Sequence, residues 1–534
     1  MKPHIASPDP ACYAPCMRTL RTGLLCWTAA ALVVLLQGCG EDQVAAPAAK
    51  TFPSGFLWGT ATAGFQVEMG CPTLAATECN DTHSDWYDFV MSPVTVNDPG
   101  TYLSGDPVKV SPGFWELYPQ DLDRARTELH NNAFRMSFEW SRIFPEATDA
   151  ANDFDSLHAL ADPRALAGYH AILAAVRAHG MTTLVTLNHY TLPSWLNDAV
   201  GCHEDFAHCT ARGWVDSDRT VREIAKFAGF CAQEFGGQVD LWATLNEPLA
   251  AILGGYVYPS ASRSQPPAVL LKFKEAKAGI IAEINAHARM YDAVKAADHV
   301  DADGDGQVAQ VGLVYPLAPF RPHHPDNPLD VQGAANISYL WNEVFLNATV
   351  HGNLDANLDG TTVHRDDLAG RMDFIGVNYY QRYVADGTST SLLPGLSPLL
   401  TINPSTLSTA EDNPQSIYDM VMLATQHYHL PIYITENGTE QESGDPVGYL
   451  VRHLTWLGRA RRDGADVRGY FVWTLMDNYE WNHGMGRIRL GMYKVDPDDP
   501  HKTRTRRPSA DVYARIVQAG SIPPDLVATY PEPE

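Results

Sequence analysis

The stretch "PIYITENGTE" (residues 431–440) places a single acid, Glu436, at the end of an apolar run. The β-branched and aromatic residues at 432–435 are typical of a strand buried on both faces, and Asn437-Gly438 predicts the turn that ends it. A lone carboxylate at such a place usually caps the turn. A functional role becomes the better interpretation if the fold brings further polar side chains beside this carboxylate.

Seven other apolar runs of this kind occur along the chain, separated by helical patterns such as "PRALAGYHAILAAVRAHG" and "AEINAHARMYDAVKAA". Eight strand–helix alternations in 534 residues predict a single α/β domain, a (β/α)8 TIM barrel with loop insertions at its C-terminal face. The Ser-, Pro- and Leu-rich segment 388–413 predicts one such insertion. The strands are predicted at 56–63, 133–138, 182–188, 241–246, 310–315, 374–378, 432–435 and 469–474.

The C-terminal strand ends of a TIM barrel form its active site, so polar side chains should accumulate there. They do so after six of the predicted strands, and Arg135 lies within a seventh. Glu247 in "ATLNEPLA" follows the fourth strand and Glu436 follows the seventh, which predicts two carboxylates at one pocket. The other polar or aromatic residues at these ends are Gln66, Arg135, His189, Asn246, Asn378, Tyr380, Glu480 and Trp481.

Two carboxyl groups facing each other across a pocket are the requirement of glycoside hydrolysis. One is protonated and gives its proton to the leaving oxygen, while the other is ionised and attacks the anomeric carbon or activates water. A separation of roughly 5 Å gives retention of configuration, and one of about 6.5 to 9.5 Å gives inversion. The guanidinium of Arg135 and the hydroxyl of Tyr380 predict that Glu436 is the ionised member.

From residue 51 to about residue 518 the chain resembles glycoside hydrolase family 1, the β-glucosidase and β-glycosidase family. The motifs that carry the resemblance occur in order: "FPSGFLWGTATAGFQVE", "FRMSFEWSRIFP", "TLNHYTLPSWL", "TLNEP", "DFIGVNYY", "ITENG" and "WTLMDNYEW". The resemblance implies that Glu247 is the acid/base, that Glu436 is the nucleophile and that configuration is retained. It implies no cofactor.

The same resemblance assigns roles to the residues around the two acids. Asn246 would bind the sugar 2-hydroxyl, and Arg135 and Tyr380 would orient the nucleophile. Asn378 is a further predicted substrate contact. The remaining glycone contacts implied by the resemblance are Gln66, His189, Glu480 and Trp481, with Trp473 as the floor on which the sugar stacks.

Two positions in the site motifs depart from the family pattern. Tyr190 stands where the family mostly has Trp, which predicts a weakened contact to the glycone. Leu490 occupies the aromatic position near the sugar's 6-hydroxymethyl group. These changes leave the chemistry intact but leave the glycone preference and the aglycone shape open.

Several functions compete with a retaining β-glycosidase, for which β-glucosidase is the leading prediction. A 6-phospho-β-glycosidase would place a phosphate beside Glu480, which would repel it. A transglycosylase would use the same site with a different acceptor. A non-catalytic sugar-binding lipoprotein would be expected to have lost Glu247 or Glu436, and both are present.

The formal net charge of −25 and a pI near 5.1 argue against nucleic acids and anionic membrane surfaces as partners, because both require basic patches. The expected partner is a small or oligosaccharide β-glycoside. The oligomeric state is left open by the sequence.

The first fifty residues resemble a bacterial lipoprotein signal and are excluded from the fold. Arg18 and Arg21 precede the apolar stretch 24–36, which leads into Cys39, the predicted lipid-carrying residue. Met17 is an alternative start. The chain is therefore expected to be exported and anchored by lipid to the cell envelope, facing the periplasm or the cell exterior. The predicted division is 1–38 signal region, 39–50 tether, 51–520 catalytic barrel and 521–534 C-terminal tail.

Export to an oxidising compartment favours disulfides between cysteines that bracket short loops. The predicted pairs are Cys71 with Cys79 and Cys202 with Cys209, and Cys231 is predicted to be a buried free thiol.

A weak calcium candidate occurs in "DADGDGQ" (residues 301–307). Asp301, Asp303 and Asp305, followed by Gly306, match the start of a calcium loop. The twelfth position is Gly312, which cannot supply the closing carboxylate. A polar hairpin leading into the fifth strand is therefore the favoured interpretation, and no metal is predicted.

Overall fold

The computed structural model describes residues 50–387 and 410–532. The predicted signal region, lipidation site Cys39 and tether up to residue 49, and most of the predicted insertion (388–409), lie outside the described residues. The described residues form one compact unit. Its centre is a closed barrel of eight parallel strands paired in chain order, which confirms the predicted (β/α)8 fold. The strands are β1 Leu57–Ala61, β2 Ala133–Ser137, β3 Thr182–Asn188, β4 Leu241–Asn246, β5 Gln310–Pro316, β6 Phe374–Asn378, β7 Ile432–Asn437 and β8 Val467–Trp473.

A layer of helices surrounds the barrel. Several begin with proline preceded by an acid or amide whose side chain accepts a backbone N–H, as Asp162, Asn327 and Asp445 do, which fixes the helix start. Among the described residues, none of the helices has the length and apolar character needed to cross a bilayer. The barrel helices are α1 Phe114–Asp123, α2 Pro163–Ala178, α3 Ser217–Phe235, α4 Phe273–Ala297, α5 Pro328–Asn342, α6 Gln415–Tyr428, α7 Pro446–Arg462 and α8 Pro508–Ala519.

Short elements fill the connections. Lys50–Thr51 pairs with Ser521–Ile522. The segment predicted to be the C-terminal tail (521–534) therefore begins with a strand that belongs to the fold. The other small strands are Phe320–Pro322 with Arg382–Ala385 and Ala410–Glu411, Asn353–Leu354 with Val363–His364, and Tyr493–Val495 with Arg504–Arg506. The short α-helices are Gly64–Val67, Ala76–Cys79, Asp85–Met91, Pro93–Val96, Trp140–Ile143, Phe154–His158, Ala199–Glu204, Pro248–Ile252, Val344–His351 and Pro524–Thr529; single turns of other helix types are Pro99–Thr101, Val108–Val110, Arg124–Glu128, Gly213–Val215, Gly236–Gln238, Leu253–Val257 and Trp481–His483.

The seventh strand is longer than the sequence predicted. Asn437 is its last residue rather than part of a turn, so that prediction was wrong. Its buried amide donates to the carbonyl of Tyr379 (2.6 Å) and to the hydroxyl of Tyr449 (2.9 Å), and it accepts from the hydroxyl of Tyr470 (2.8 Å). Because all of these bonds are internal, a polar residue is tolerated inside the strand.

Gly438 follows β7 for reasons of space rather than of turn geometry. A Cβ at this position would lie 2.0 Å from the carbonyl oxygen of Trp473. The chain can therefore pass the end of β8 only with glycine here.

Both strands that precede the predicted catalytic acids contain a bulge. Between Ala243 and Asn246, β4 advances three residues while β5 advances two. Between Ile434 and Asn437, β7 advances three residues while β8 advances two. A bulge changes the direction in which the neighbouring side chains point, and bulges of this kind are frequent beside active sites.

The predicted disulfides Cys71–Cys79 and Cys202–Cys209 are both formed, and Cys231 is a buried free thiol. These three predictions are confirmed.

The acidic loop before β5 uses its carboxylates to hold its own backbone. Asp301 accepts the N–H groups of Gly304 and Gly306, and Asp305 accepts that of Gln307. Ligand atoms of Asp301 and Asp303 lie within 4.8 Å of one of Asp240, without Asp305. This arrangement is that of a loop stabilised by its own aspartates, without the strand pairing of the predicted hairpin, and it differs from the predicted order of calcium ligands.

Candidate active site

Glu436, near the end of β7, is 4% exposed and is held at both oxygens. Arg135 from β2 donates to Oε1 at 2.6 Å, and the Tyr380 hydroxyl donates to Oε2 at 2.6 Å. Arg135 also donates to the carbonyl of Thr435 at 3.1 Å and to the hydroxyl of Thr186 at 3.1 Å. The guanidinium is therefore fixed from three sides and holds the carboxylate in one orientation.

Opposing effects act on the ionisation of Glu436. Burial raises its pKa to about 7, and the nearby Glu247 carboxylate contributes to the rise. The ion pair with Arg135 and the hydrogen bond from Tyr380 lower the pKa. Burial thus outweighs the two stabilising partners that the sequence predicted, and the carboxyl group titrates close to neutral pH.

Glu247 directly follows β4 and is 6% exposed. The amide of Asn378 donates to its Oε1 at 2.9 Å, and the hydroxyl of Tyr190 donates to its Oε2. Its backbone has a φ of 44°, in the left-handed region that non-glycine residues seldom adopt. Such strain is typical of residues whose position matters for function.

Asn246 connects the two acids. Its Oδ1 accepts from Arg135 at 2.8 Å and from Asn378 at 3.2 Å, and its Nδ2 donates to Nε2 of His189 at 3.1 Å. Arg135 thus contacts both Glu436 and Asn246, so the ends of β2, β4 and β7 are held in a fixed relation.

Glu480 and Gln66 form a second polar group at the barrel mouth. Nε2 of Gln66 donates to Oε2 of Glu480 at 3.1 Å and to the carbonyl of Tyr479 at 3.1 Å. Asn478 donates to the same carboxylate oxygen at 2.8 Å. Burial raises the pKa of Glu480, and Arg263 and these two amides lower it.

Oε1 of Gln66 and Nδ1 of His189 are among the buried polar atoms of this region that have no partner among the described residues. Since Nε2 of His189 accepts from Asn246, Nδ1 carries the hydrogen. Burial, with Arg135, lowers the pKa of His189 well below its usual range, so the ring is neutral. A free acceptor and a free donor, both costly to leave unsatisfied, fit a ligand rich in hydroxyl groups.

Aromatic rings form one wall of this polar region. His189 stacks between Trp473 and Trp481, with ring centroids 5.8 and 5.9 Å away and interplanar angles of 20° and 17°. Trp473 belongs to the apolar cluster that fills the barrel, and Leu490 packs against that cluster. Flat apolar faces beside hydroxyl-binding groups suit the C–H surface of a sugar.

The structure therefore brings together the two acids, the two predicted orienting residues and the predicted glycone contacts at one end of the barrel. Asn478 was missed although it lies within the motif "WTLMDNYEW". The sequence indicated Tyr190 only as a departure from the family pattern. In the structure its hydroxyl donates to Glu247. Arg263 was also missed. The only signal that could have indicated it is its position in the loop after β4.

Comparisons with known proteins agree with this geometry. Residues 48–521 match the family model described as glycosyl hydrolase family 1. A protein of Pyrococcus woesei named beta-galactosidase is 34% identical over 87% of this chain and 97% of its own length. The crystal structure of the beta-glycosidase from Thermosphaera aggregans superposes with a TM-score of 0.75 at 28% identity, covering 90% of this chain and 99% of that one. The structure of the beta-glucosidase from Pyrococcus furiosus gives 0.73 at 30% identity, covering 90% and 98%.

Proposed function

The chain belongs to glycosyl hydrolase family 1 and is a retaining β-glycosidase, and from this premise we propose that Glu436 is its nucleophile and Glu247 its acid/base. The observation that carries the proposal is the pair of carboxyl groups at the bulged ends of β4 and β7, each held by its own donors. Arg135 and Asn246 connect the two.

Retention requires an ionised nucleophile and a protonated acid/base. Glu436 receives a cationic donor, Arg135, whereas the donors to Glu247, Asn378 and Tyr190, are neutral. The cationic donor favours the ionised form at Glu436, which assigns the nucleophile's role to Glu436 and the role of the protonated acid to Glu247. This is the protonation state from which hydrolysis starts.

In the first step an oxygen of Glu436 forms a bond to the anomeric carbon as the bond to the leaving oxygen breaks. Glu247 gives its proton to that oxygen, and the sugar becomes an α-linked ester of Glu436. In the second step Glu247 takes a proton from water, the water oxygen bonds to the anomeric carbon, and Glu436 leaves as a carboxylate. Two inversions give net retention.

We assign the glycone to a terminal, non-reducing β-D-glucosyl residue. Gln66, His189 and Glu480 supply the hydroxyl contacts, and Trp473 supplies the apolar face. Relatives named beta-galactosidase and beta-glucosidase share the fold, so galactose is the second glycone to test.

The alternatives on the same site fit less well. A 6-phosphorylated sugar would bring its phosphate into a site with three carboxyl groups, the buried Glu247 and Glu436 and the half-buried Glu480, which repel it. Transglycosylation would use the same glycosyl-enzyme with a sugar hydroxyl in place of water.

The glycone assignment is tested with 4-nitrophenyl glycosides, comparing β-glucoside, β-galactoside, α-glucoside and 6-phospho-β-glucoside. We expect the highest kcat/KM for the β-glucoside, and a value about 100-fold or more lower for the phosphorylated substrate. The α-anomer should not react. Faster hydrolysis of the phosphorylated or the α-linked substrate would contradict the assignment, and product analysis with added cellobiose measures transfer.

We also propose that the chain is exported and anchored by lipid at Cys39. The sequence before Cys39 supports this, and the disulfides Cys71–Cys79 and Cys202–Cys209 fit an oxidising compartment. In a bacterial host, the chain should incorporate labelled palmitate and fractionate with membranes, and Cys39→Ala should abolish both. Equal palmitate labelling of the wild type and of Cys39→Ala would refute lipidation at this residue.

A further inference from the structure

The hydroxyl of Tyr190 lies between a guanidinium and the predicted acid/base. It donates to Oε2 of Glu247, while Nη1 of Arg263 donates to it at 3.4 Å. The guanidinium carbon of Arg263 is 5.7 Å from the centre of the tyrosine ring. A phenol oxygen that accepts from arginine leaves its own proton for the carboxylate, so the hydrogen bonds run from Arg263 to Tyr190 to Glu247.

The Tyr190 ring is held rigidly. It is 5% exposed and packs edge-on against Trp481 and His189, with centroid distances of 5.0 and 5.2 Å. Its φ of 73° places the backbone in the left-handed region. Burial lowers the pKa of Arg263, but the neighbouring Tyr190, Glu247 and Glu480 outweigh burial and raise the pKa above its usual value, so the guanidinium is charged.

Each oxygen of Glu247 accepts one hydrogen bond. The Asn378 amide nitrogen donates to Oε1, and the Tyr190 hydroxyl donates to Oε2. While the acid carries its proton, the bond from Tyr190 is made to a neutral carboxyl group. When the acid releases the proton, Oε2 becomes a carboxylate oxygen, and its bond from Tyr190 strengthens.

We infer that Tyr190 is a positioning residue that stabilises Glu247 at the moment of proton donation, and that Arg263 fixes the direction of the hydrogen bond from Tyr190. The inference rests on the proposed function and deepens it. An interaction that strengthens as the proton leaves stabilises the transition state more than the ground state. Its contribution should therefore be greatest for leaving groups that need protonation.

Other titratable groups also act on Glu247. None of them is removed by a change at Tyr190, so an effect specific to its hydroxyl can be separated from theirs. They are Glu436 on β7, Arg263 in the loop after β4, Tyr380 and Tyr383 after β6, and Glu480 after β8, with Arg135 and His189 reaching it through Asn246.

The test compares wild type with Tyr190→Phe, which keeps the ring and removes the hydroxyl. The basic limb of the kcat/KM profile falls where the acid/base loses its proton. Because the Tyr190 bond favours the ionised acid, its removal should move this limb upward by roughly 1 pH unit. We expect kcat/KM for phenyl β-glucoside to fall about 10- to 100-fold, and that for 2,4-dinitrophenyl β-glucoside by less than about threefold.

Two further variants complete the test. Arg263→Leu should shift the basic limb in the same direction by a smaller amount. Tyr339→Phe is the matched control: its hydroxyl, on α5, donates to Asp355 at 3.1 Å and to neither acid, so its basic limb should match that of wild type.

An unchanged basic limb in Tyr190→Phe, with equal losses for both leaving groups, would overturn the inference and leave the proposed function in place. A wild-type chain that hydrolyses no β-glycoside would overturn both. The two failures are therefore distinguishable in one set of measurements.

Discussion

Replacing Glu436 with alanine is expected to lower β-glucoside hydrolysis on the order of 10⁶-fold, as with removal of other covalent nucleophiles. The loss follows because no glycosyl ester can form, while Arg135 and Tyr380, which held the carboxylate at 2.6 Å each, remain in place. The measurement is kcat/KM for 4-nitrophenyl β-glucoside.

Azide provides a positive signal in the same variant. The deleted side chain leaves room for azide beside the guanidinium, and direct attack should give the α-glycosyl azide with one inversion. Glu440→Ala, four residues along the chain, is the matched control and should retain wild-type activity. Wild-type rates in Glu436→Ala, or a β-glycosyl azide as product, would rule out Glu436 as the nucleophile.

The Glu247→Ala variant is expected to lose activity to an extent that depends on the leaving group. For phenyl β-glucoside, which needs protonation of the leaving oxygen, kcat/KM should fall about 10²- to 10⁴-fold. For 2,4-dinitrophenyl β-glucoside the first step needs little acid and should be nearly unaffected. The glycosyl-enzyme then accumulates, because the base that activates water is missing.

Azide should release that intermediate, since an anion needs no general base. The product should be the β-glycosyl azide, the anomer opposite to that from Glu436→Ala. An equal loss for both leaving groups would contradict the assignment of Glu247 as acid/base.

The barrel could be predicted from the sequence because strand and helix periodicity are local properties. The two acids were identified because Glu247 and Glu436 lie at strand ends that a parallel barrel brings together. The observed strands differ from the predicted ones by at most two residues at each end. Of these differences, the one at β7 changes the interpretation of Asn437, since three tyrosines from distant positions satisfy its amide.

The remaining features depend on contacts that local patterns do not encode. The bulges in β4 and β7 arise from pairing with neighbouring strands, and single-strand periodicity carries no sign of them. Arg263 and Tyr190 are 73 residues apart, and the pairing of β3 with β4 places the loops that carry them side by side. The pKa of Glu436 likewise depends on burial, whose effect outweighs that of Arg135 and Tyr380, the partners that the motifs identified.

The central claim is that Glu436 forms a covalent bond with the sugar, and a mechanism-based label tests it most directly. The wild-type chain is incubated with 2-deoxy-2-fluoro-β-D-glucosyl fluoride, whose fluorine slows the second step more than the first, and is then digested for mass spectrometry. The prediction is time-dependent inactivation with one 2-deoxy-2-fluoroglucosyl group on Glu436, and none in Glu436→Ala. A label on Glu247 or any other residue, or turnover without a label, would contradict it.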